Sequence, residues 1–240
     1  MQWTWRSAQQ THRGNRRRLN EDAVVSRPDC GLWAVADGMG GHQAGDVASR
    51  AIAATLSGVA LSGALSARVD AVEDALVAVN DELRLHAASR GLGTTIGSTV
   101  VAMVVRKSTA VVLWAGDSRL YRLRGGTAEQ ITRDHNPVSD LLETGAVTEE
   151  EAMAADTHIV TRAVGGQSRL FLDVAVFDVA LTDTFVLCSD GLYRELDLDE
   201  LALPLARQSP DAAAQSLLRR CLDGAADDNV SVVVARPEAA

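Results

Sequence analysis

Apolar and polar positions along the chain keep two rhythms. In residues 67–88, Val69, Val72, Leu76, Val79 and Leu83 recur at steps of three and four, the spacing of one helix face. Residues 44–62 read as a second helix, and residues 211–223 as a third, with Ser209 or Pro210 at its start and Gly224 at its stop. Elsewhere the rhythm shortens. The stretch STVVAMVVRKSTAVVLWAGDSRLYRLRGGTAEQIT, residues 98–132, is a series of β-branched runs broken at 106–108, 116–118 and 125–126, which predicts strands that are antiparallel neighbours. Another strand pair fits residues 170–188, and in NVSVVVAR the residues Val230, Val232 and Val234 alternate with smaller partners. Strands and helices come in blocks, which predicts an α+β layered fold and not a parallel alternation of strand and helix. Residues 134–165 are polar and short-helix-like and are expected to contribute a flap at about 134–160.

Composition narrows the class. With 240 residues and 47% hydrophobic content the chain can bury a sizeable core, and no linker or repeat divides it, so one domain over 1–240 is expected. No apolar stretch reaches the roughly 18 residues of a membrane span, and the opening MQWTWRSAQQTHRG lacks the apolar centre of a secretory signal. A cytoplasmic protein with no membrane partner is the expectation. Cys30, Cys188 and Cys221 are odd in number and widely spaced, which fits core or incidental thiols and neither a zinc site nor a disulfide framework. The net charge of −9 argues against a nucleic-acid partner, although Arg13, Arg16, Arg17 and Arg18 form a local basic cluster.

The chemistry sits where strands stop. In LWAVADGMGGHQAG, residues 32–45, an apolar run ends on Asp37 and is followed by Gly38, Gly40, Gly41 and Gly45, which let the backbone approach a ligand closely. The pattern recurs at Asp117 in VVLWAGDSR, at Asp190 in FVLCSDG, at Asp227 and Asp228 before NVSVVVA, and at Glu21 and Asp22 in NEDAVV. A single Asp-Gly after a strand is most often a turn. Five strand ends bearing acids are another matter, because packed sheets can gather such ends on one rim, where carboxylates repel unless a cation neutralises them. Oxygen ligands select hard ions such as Mg²⁺ or Mn²⁺, and the absence of His/Cys spacing counts against zinc. Arginines shortly before Glu21 and Asp22 suit a phosphate oxyanion, which a guanidinium holds with paired hydrogen bonds.

These residues resemble the metal-dependent protein Ser/Thr phosphatases of the PPM type, also called protein phosphatase 2C. The motifs are RRLNED (17–22), VADGMGGHQAG (35–45), GTT (93–95), WAGDSRLYRL (114–123), TRAVG (161–165), CSDGL (188–192) and DDNVSVVV (227–234). They run in order over nearly the whole chain. The resemblance implies a four-layer αββα sandwich of two antiparallel β-sheets flanked by helices, in agreement with the block pattern. It also implies that Asp37 bridges two Mn²⁺ or Mg²⁺ ions, with the Gly38 carbonyl completing one shell and Asp190 and Asp228 holding the first ion. Glu21 and Asp22 sit by the second, partly through water, and Asp117 matches the position that helps to bind a third ion in bacterial members. Arg17 aligns with the phosphate-binding arginine, with Arg18 as the neighbouring register. Asn229 is expected to orient Asp228 or a metal-bound water.

The resemblance implies hydrolysis of phosphoserine and phosphothreonine by a water that two metals activate, without a phosphoenzyme. Animal members carry His directly after Asp-Gly as proposed general acid; here Met39 stands there, as it does in bacterial members, and His42 is the local candidate donor. A lone loop His is more often a packing or surface residue, so a metal-bound water is the preferred donor. The partners implied are phosphorylated proteins, a Ser/Thr kinase and its substrates, with the chain acting as a monomer beside the kinase, type VI secretion regulation included. The segment 140–156, with Glu143, Glu149, Glu150 and Glu151, is expected to govern which proteins are accepted. A phosphoprotein-binding module without hydrolysis is the alternative, and the intact set Asp37, Asp190 and Asp228 speaks against it.

Overall fold

Two sheets face each other, and each is covered on its outer side by helices. The computed structural model describes residues 3–40, 44–91, 95–148 and 159–239. In chain order the elements are β1 (Trp3–His12), β2 (Asp22–Arg27), β3 (Leu32–Met39), α1 (Ala44–Gly58), α2 (Leu65–Arg90), β4 (Gly97–Ser98), β5 (Val100–Arg106), β6 (Thr109–Ala115), β7 (Arg119–Arg124), β8 (Thr127–Gln130), α3 (Pro137–Glu143), β9 (Asp173–Asp178), β10 (Thr184–Cys188), α4 (Asp190–Tyr193), α5 (Leu198–Arg207), α6 (Pro210–Asp223) and β11 (Val230–Ala239). One sheet runs β1-β11-β10-β7-β8 and the other β2-β3-β5-β6-β9, with β4 on the end of β3; the pairings are antiparallel. This is the expected αββα sandwich.

Three apolar layers hold the four structural layers together. Between the sheets lie Trp33, Val35, Val101, Met103, Trp114, Phe185, Leu187 and Val233, and Trp5 tilts against Trp33 with ring centroids 4.8 Å apart. Outside one sheet, Ile52, Leu56, Leu76 and Leu83 of α1 and α2 meet Ala34, Ala102 and Leu113. Outside the other, Leu205, Leu217 and Cys221 of α5 and α6 meet Val186, Val232 and Val234. Of the periodic set that predicted a helix over 67–88, Val72, Leu76, Val79 and Leu83 are buried here and Val69 packs against them partly buried; the helix extends at both ends to Leu65 and Arg90. The late helix is capped as its sequence indicates: the Ser209 side chain accepts from the Ala212 N–H, and Gly224 follows the last turn.

Two strand pairings differ from the expectation. The turn at 116–118 does not join neighbours: β6 lies in one sheet and β7 in the other, so the chain changes sheet at Asp117. Likewise β9 and β10, expected as a pair within 170–188, lie in different sheets and are joined by residues 179–183. Both faces of a strand in such a sandwich are apolar, so the sequence marks strand ends without marking which sheet comes next. The helix expected over 44–62 ends at Gly58. Within the segment expected to form a flap lies the short helix α3, while residues 149–158, with Glu149, Glu150 and Glu151, lie outside the described residues, as do Gly41, His42, Gly93 and Thr94. Among the described residues no helix is long and apolar enough to cross a membrane.

The TRAVG motif acts as a buttress. Val164 bridges to Ser98, and the Gly165 N–H donates to Oδ1 of Asn80, a buried residue of α2, at 2.8 Å. Gly165 has φ +85°, and a Cβ there would sit 2.2 Å from the Ile96 carbonyl oxygen, so the glycine is required. Asn80→Ala leaves a buried N–H without its acceptor and is expected to cost about 1–3 kcal/mol, lowering the melting midpoint by roughly 2–12 °C. A variant that melts with the wild type would show that Asn80 does not anchor this loop.

Candidate active site

Strand register assembles the acids. Asp22 at the start of β2 pairs with Asp37 near the end of β3, while Asp190 follows β10 and Asp228 precedes its neighbour β11. Asp117 sits where the chain crosses between the sheets. These ends share one rim, around a cleft of about 610 Å³ lined by Glu21, Asp37, Gly38, Asp117, Asp190 and Asp228 together with Arg17, Arg194, Met39 and Thr99. Asp22 is not part of the lining; it is 6% exposed and lies beneath the cleft. Arg17 lines the cleft, whereas Arg18 is exposed and is not among its lining residues.

Small polar residues hold the acid-bearing backbone. The Asp37 N–H donates to Thr99 Oγ1 at 3.2 Å, and its carbonyl accepts from the Thr99 N–H and from Ser98 Oγ, each at 2.9 Å. Thr99 Oγ1 also lies 2.7 Å from Ser118 Oγ, which ties the Asp117 turn to the Asp37 strand. Behind that turn the Gly116 N–H donates to Nδ1 of the buried His135 at 3.0 Å, and His135 Nε2 lies 3.1 Å from Asp173. An acceptor Nδ1 puts the imidazole proton on Nε2, facing Asp173. His135 therefore supports the site from behind.

The glycines after Asp37 now have a reason. A Cβ on Gly38 would fall 2.1 Å from the Gly45 carbonyl oxygen, and one on Gly45 would fall 2.7 Å from Glu21 Oε1. The end of β3, the first turn of α1 and the Glu21 side chain thus approach more closely than any side chain permits. Asn229 makes its expected contact with Asp228 through the backbone. Its backbone N–H, not its side chain, orients Asp228, donating to Oδ1 at 2.8 Å. The side chain instead donates to the Arg13 and Leu19 carbonyls at 3.0 and 2.9 Å and accepts from the Glu21 N–H at 2.8 Å. It clips the loop bearing Arg17 and Glu21 onto β11.

The acids are frustrated without cations. Burial pushes the Asp22 carboxyl up to about 7, partly offset by the Ser231 and Ser189 hydroxyls, the latter donating to Oδ2 at 2.8 Å. Burial, with the Asp22 and Asp190 charges added, holds Asp37 well above the usual carboxylate range; Asp117 is pushed up to about 6 by burial and by Asp190, and Asp190 is raised by burial as well. Two guanidiniums relieve part of this: Arg17 pairs with Asp228 at 2.7 Å and Arg194 with Asp190 at 3.0 Å. Among the described residues no three acid, His or Cys side chains are already closed around one point as an ion cage. The donor set nonetheless fits a hard divalent ion, being all oxygen, with Asp22 Oδ1 and Asp190 Oδ1 buried and lacking any hydrogen-bond partner.

The structure brings together Arg17, Glu21, Asp37, Gly38, Asp117, Asp190 and Asp228, places Asp22 just below them, and leaves His42 outside the described residues. The sequence reading missed Thr99, Ser118, Ser189, His135 and Arg194. Of these only Arg194 carried a signal, its four-residue spacing from Asp190 on a helical turn.

A stability signature follows for the metal-free protein. A buried Asp whose folded-state value lies above its unfolded one stabilises the fold while protonated, and that contribution is lost as pH rises from the unfolded value through the folded one. For Asp22 this window runs from 3.8 to about 7. Asp22→Asn is therefore expected to flatten the fall in melting midpoint across that window and to stabilise the metal-free protein above it, by an amount on the order of 1–4 kcal/mol. An unchanged pH profile in chelator would refute this account of the buried carboxyl.

Comparison with known proteins agrees with the geometry. The family model described as "Protein phosphatase 2C" matches residues 9–224. The chain is 34% identical over 233 residues to the serine/threonine phosphatase stp of Listeria welshimeri, covering 93% of this chain and 92% of the relative. It is 35% identical over 237 residues to the serine/threonine protein phosphatase PstP of Mycobacterium tuberculosis, covering 96% of this chain and 44% of that longer protein. Among solved structures, PppA, described as a key regulatory component of T6SS in Pseudomonas aeruginosa, superposes with a TM-score of 0.90 at 42% identity, covering 99% of this chain and 100% of the other. The catalytic domain of PstP in complex with two manganese ions superposes with a TM-score of 0.85 at 32% identity, over 99% of this chain and 100% of the other. With its sheet ends, acids and arginine arranged as described, the chain belongs to the protein phosphatase 2C family.

Proposed function

We propose that the protein hydrolyses phosphoserine and phosphothreonine in phosphoproteins, using two divalent ions, Mn²⁺ or Mg²⁺, in the acidic cleft. The observation that carries this reading is the gathering of Glu21, Asp37, Asp190 and Asp228 with Arg17 in one cleft above Asp22. Asp37 would hold both ions, the Gly38 carbonyl would complete the shell of one of them, Asp190 and Asp228 would hold the first, and Glu21 and the buried Asp22 would sit beside the second. When bound, the ions supply a water-derived nucleophile near neutral pH and neutralise the phosphate it attacks in line. Arg17 reaches the cleft from a loop that Asn229 pins down, so its guanidinium can hold a phosphate oxyanion at the acids' edge. None of the three cysteines lines the cleft.

The likeness to PppA supports a place in type VI secretion regulation, opposite a Ser/Thr kinase and acting on that kinase or its substrates. Residues 140–156 would select among such proteins, and the chain would act in the cytoplasm as a monomer.

Phosphate release from a phosphothreonine peptide by the purified protein is expected to depend on Mn²⁺ or Mg²⁺ and to stop in excess chelator. Full turnover in chelator would sink the mechanism. Asp37→Asn and Asp190→Asn are each expected to lower the rate by several orders of magnitude at saturating metal while the protein still melts cooperatively.

Arg17→Ala is expected to raise KM for phosphopeptides by about 1.5–3 kcal/mol of lost charge-assisted contact, with kcat little changed, and Arg18→Ala to do little. The opposite pattern would move the phosphate contact by one residue. His42→Ala is expected to slow peptide and aryl phosphate alike and only slightly. A loss of about 10²-fold or more confined to the peptide, whose alkoxide needs a proton to leave, would assign the proton donor to His42.

A further inference from the structure

Among the described residues, Arg194 is the one cleft-lining cation that the family resemblance does not account for. It follows the short α4, where its backbone N–H donates to the Asp190 carbonyl at 3.0 Å and its Nε lies 3.0 Å from Asp190 Oδ2. Its side chain is only 28% exposed and that of Asp190 14%, so the pair is far less open to solvent than Arg17 with Asp228, at 53% and 35%. Asp190 is thereby divided: Oδ2 is taken by the guanidinium, while Oδ1 is buried and has no hydrogen-bond partner. Asp117 shares the cleft with both, and Arg194 opposes the repulsion that Asp190 exerts on it.

A third ion at Asp117 would need Asp190 or another oxygen-rich neighbour on the same side. It would meet a fixed positive charge there. Charge balance points the same way. Among the described residues of the site, Glu21, Asp22, Asp37, Asp117, Asp190 and Asp228 carry six negative charges when ionised, and Arg17 and Arg194 return two. The remaining four are what two divalent ions cancel, so a third would leave the site positive before any phosphate arrives.

We propose that Arg194 is a built-in cation that takes the place of a third metal ion beside Asp117, so that this protein works with two divalent ions. Arg194 is a positioning residue in this scheme: it fixes Asp190 through Oδ2 and leaves Oδ1 for the shared site. The inference rests on the two-ion reading above, and metal counting separates the two.

Mn²⁺ bound per chain is measured by equilibrium dialysis with elemental analysis, on wild type and on variants whose melting curves remain cooperative. Wild type and Arg194→Lys are expected to bind two ions. Arg194→Gln is expected to bind three, and Arg194→Gln combined with Asp117→Asn to return to two. Three ions in wild type or in Arg194→Lys would overturn the inference and leave the two-ion core standing. Two ions in a folded Arg194→Gln would overturn it as well. A wild type that binds no Mn²⁺ would remove the two-ion reading and this inference with it. If Arg194→Gln does not fold, wild type and Arg194→Lys decide by the same count.

Discussion

Mutual repulsion among carboxylates at one rim is the constraint on which the rest of the site depends. Asp22, Asp37, Asp117, Asp190 and Asp228 are pressed together from the ends of two sheets, and burial pushes Asp22, Asp37, Asp117 and Asp190 upward in pKa. Left to themselves these chain ends would separate. They are held by backbone hydrogen bonds that do not involve the charges, such as Thr99 with Asp37 and Ser189 with Ser231. The cost is drawn from the apolar layers on either side of the sheets, which bury Trp33, Phe185, Leu76 and Leu217 completely.

The sandwich makes that cost bearable because its parts cannot relax independently. The turn at 116–118 carries the chain from one sheet to the other, so a shift of Asp117 would strain both. Gly116 has φ +111°, and a Cβ there would come within 2.6 Å of the Thr99 side chain. His135 then braces the same turn through its Nδ1, and Asn229 braces the opposite wall by tying residues 13–21 to β11. Acids that repel are thus set into a frame whose hinges are closed by neutral donors and acceptors.

How far this was legible in the chain depends on the range of the interaction. The α2 face was readable because Val69, Val72, Leu76, Val79 and Leu83 lie within one helix, where spacing alone fixes direction. The α5 helix was not, because Pro204 interrupts its interior and its start rests on a capping box between Asp197 and Glu200. Nor was β1, whose Trp3–His12 stretch mixes tryptophans with glutamines on a sheet edge. Strands such as β6 and β7 were visible, but the change of sheet between them depends on what lies across the sandwich. In the site, Asp37 with Gly38 and Gly45 could be read from adjacent residues. His135 and Thr99 could not, since they join the Asp117 and Asp37 backbones from distant parts of the chain.

The two arginines of the cleft are held in different ways. Arg194 is anchored by a helical turn and more enclosed, and its Nε lies 3.0 Å from Asp190 Oδ2. Arg17 stands on a loop, half-exposed, and its pairing with Asp228 at 2.7 Å is open to exchange. The contact with Asp228 is made by one terminal nitrogen, and a guanidinium carries five N–H donors on three nitrogens, so donors remain for a phosphate oxyanion. Whatever else neutralises Asp228 weakens that contact and leaves the whole fork of donors to a phosphate in the cleft that Arg17 already lines. Placement on a rigid turn or on a pinned loop, more than the identity of the residue, sets how firmly each arginine is held.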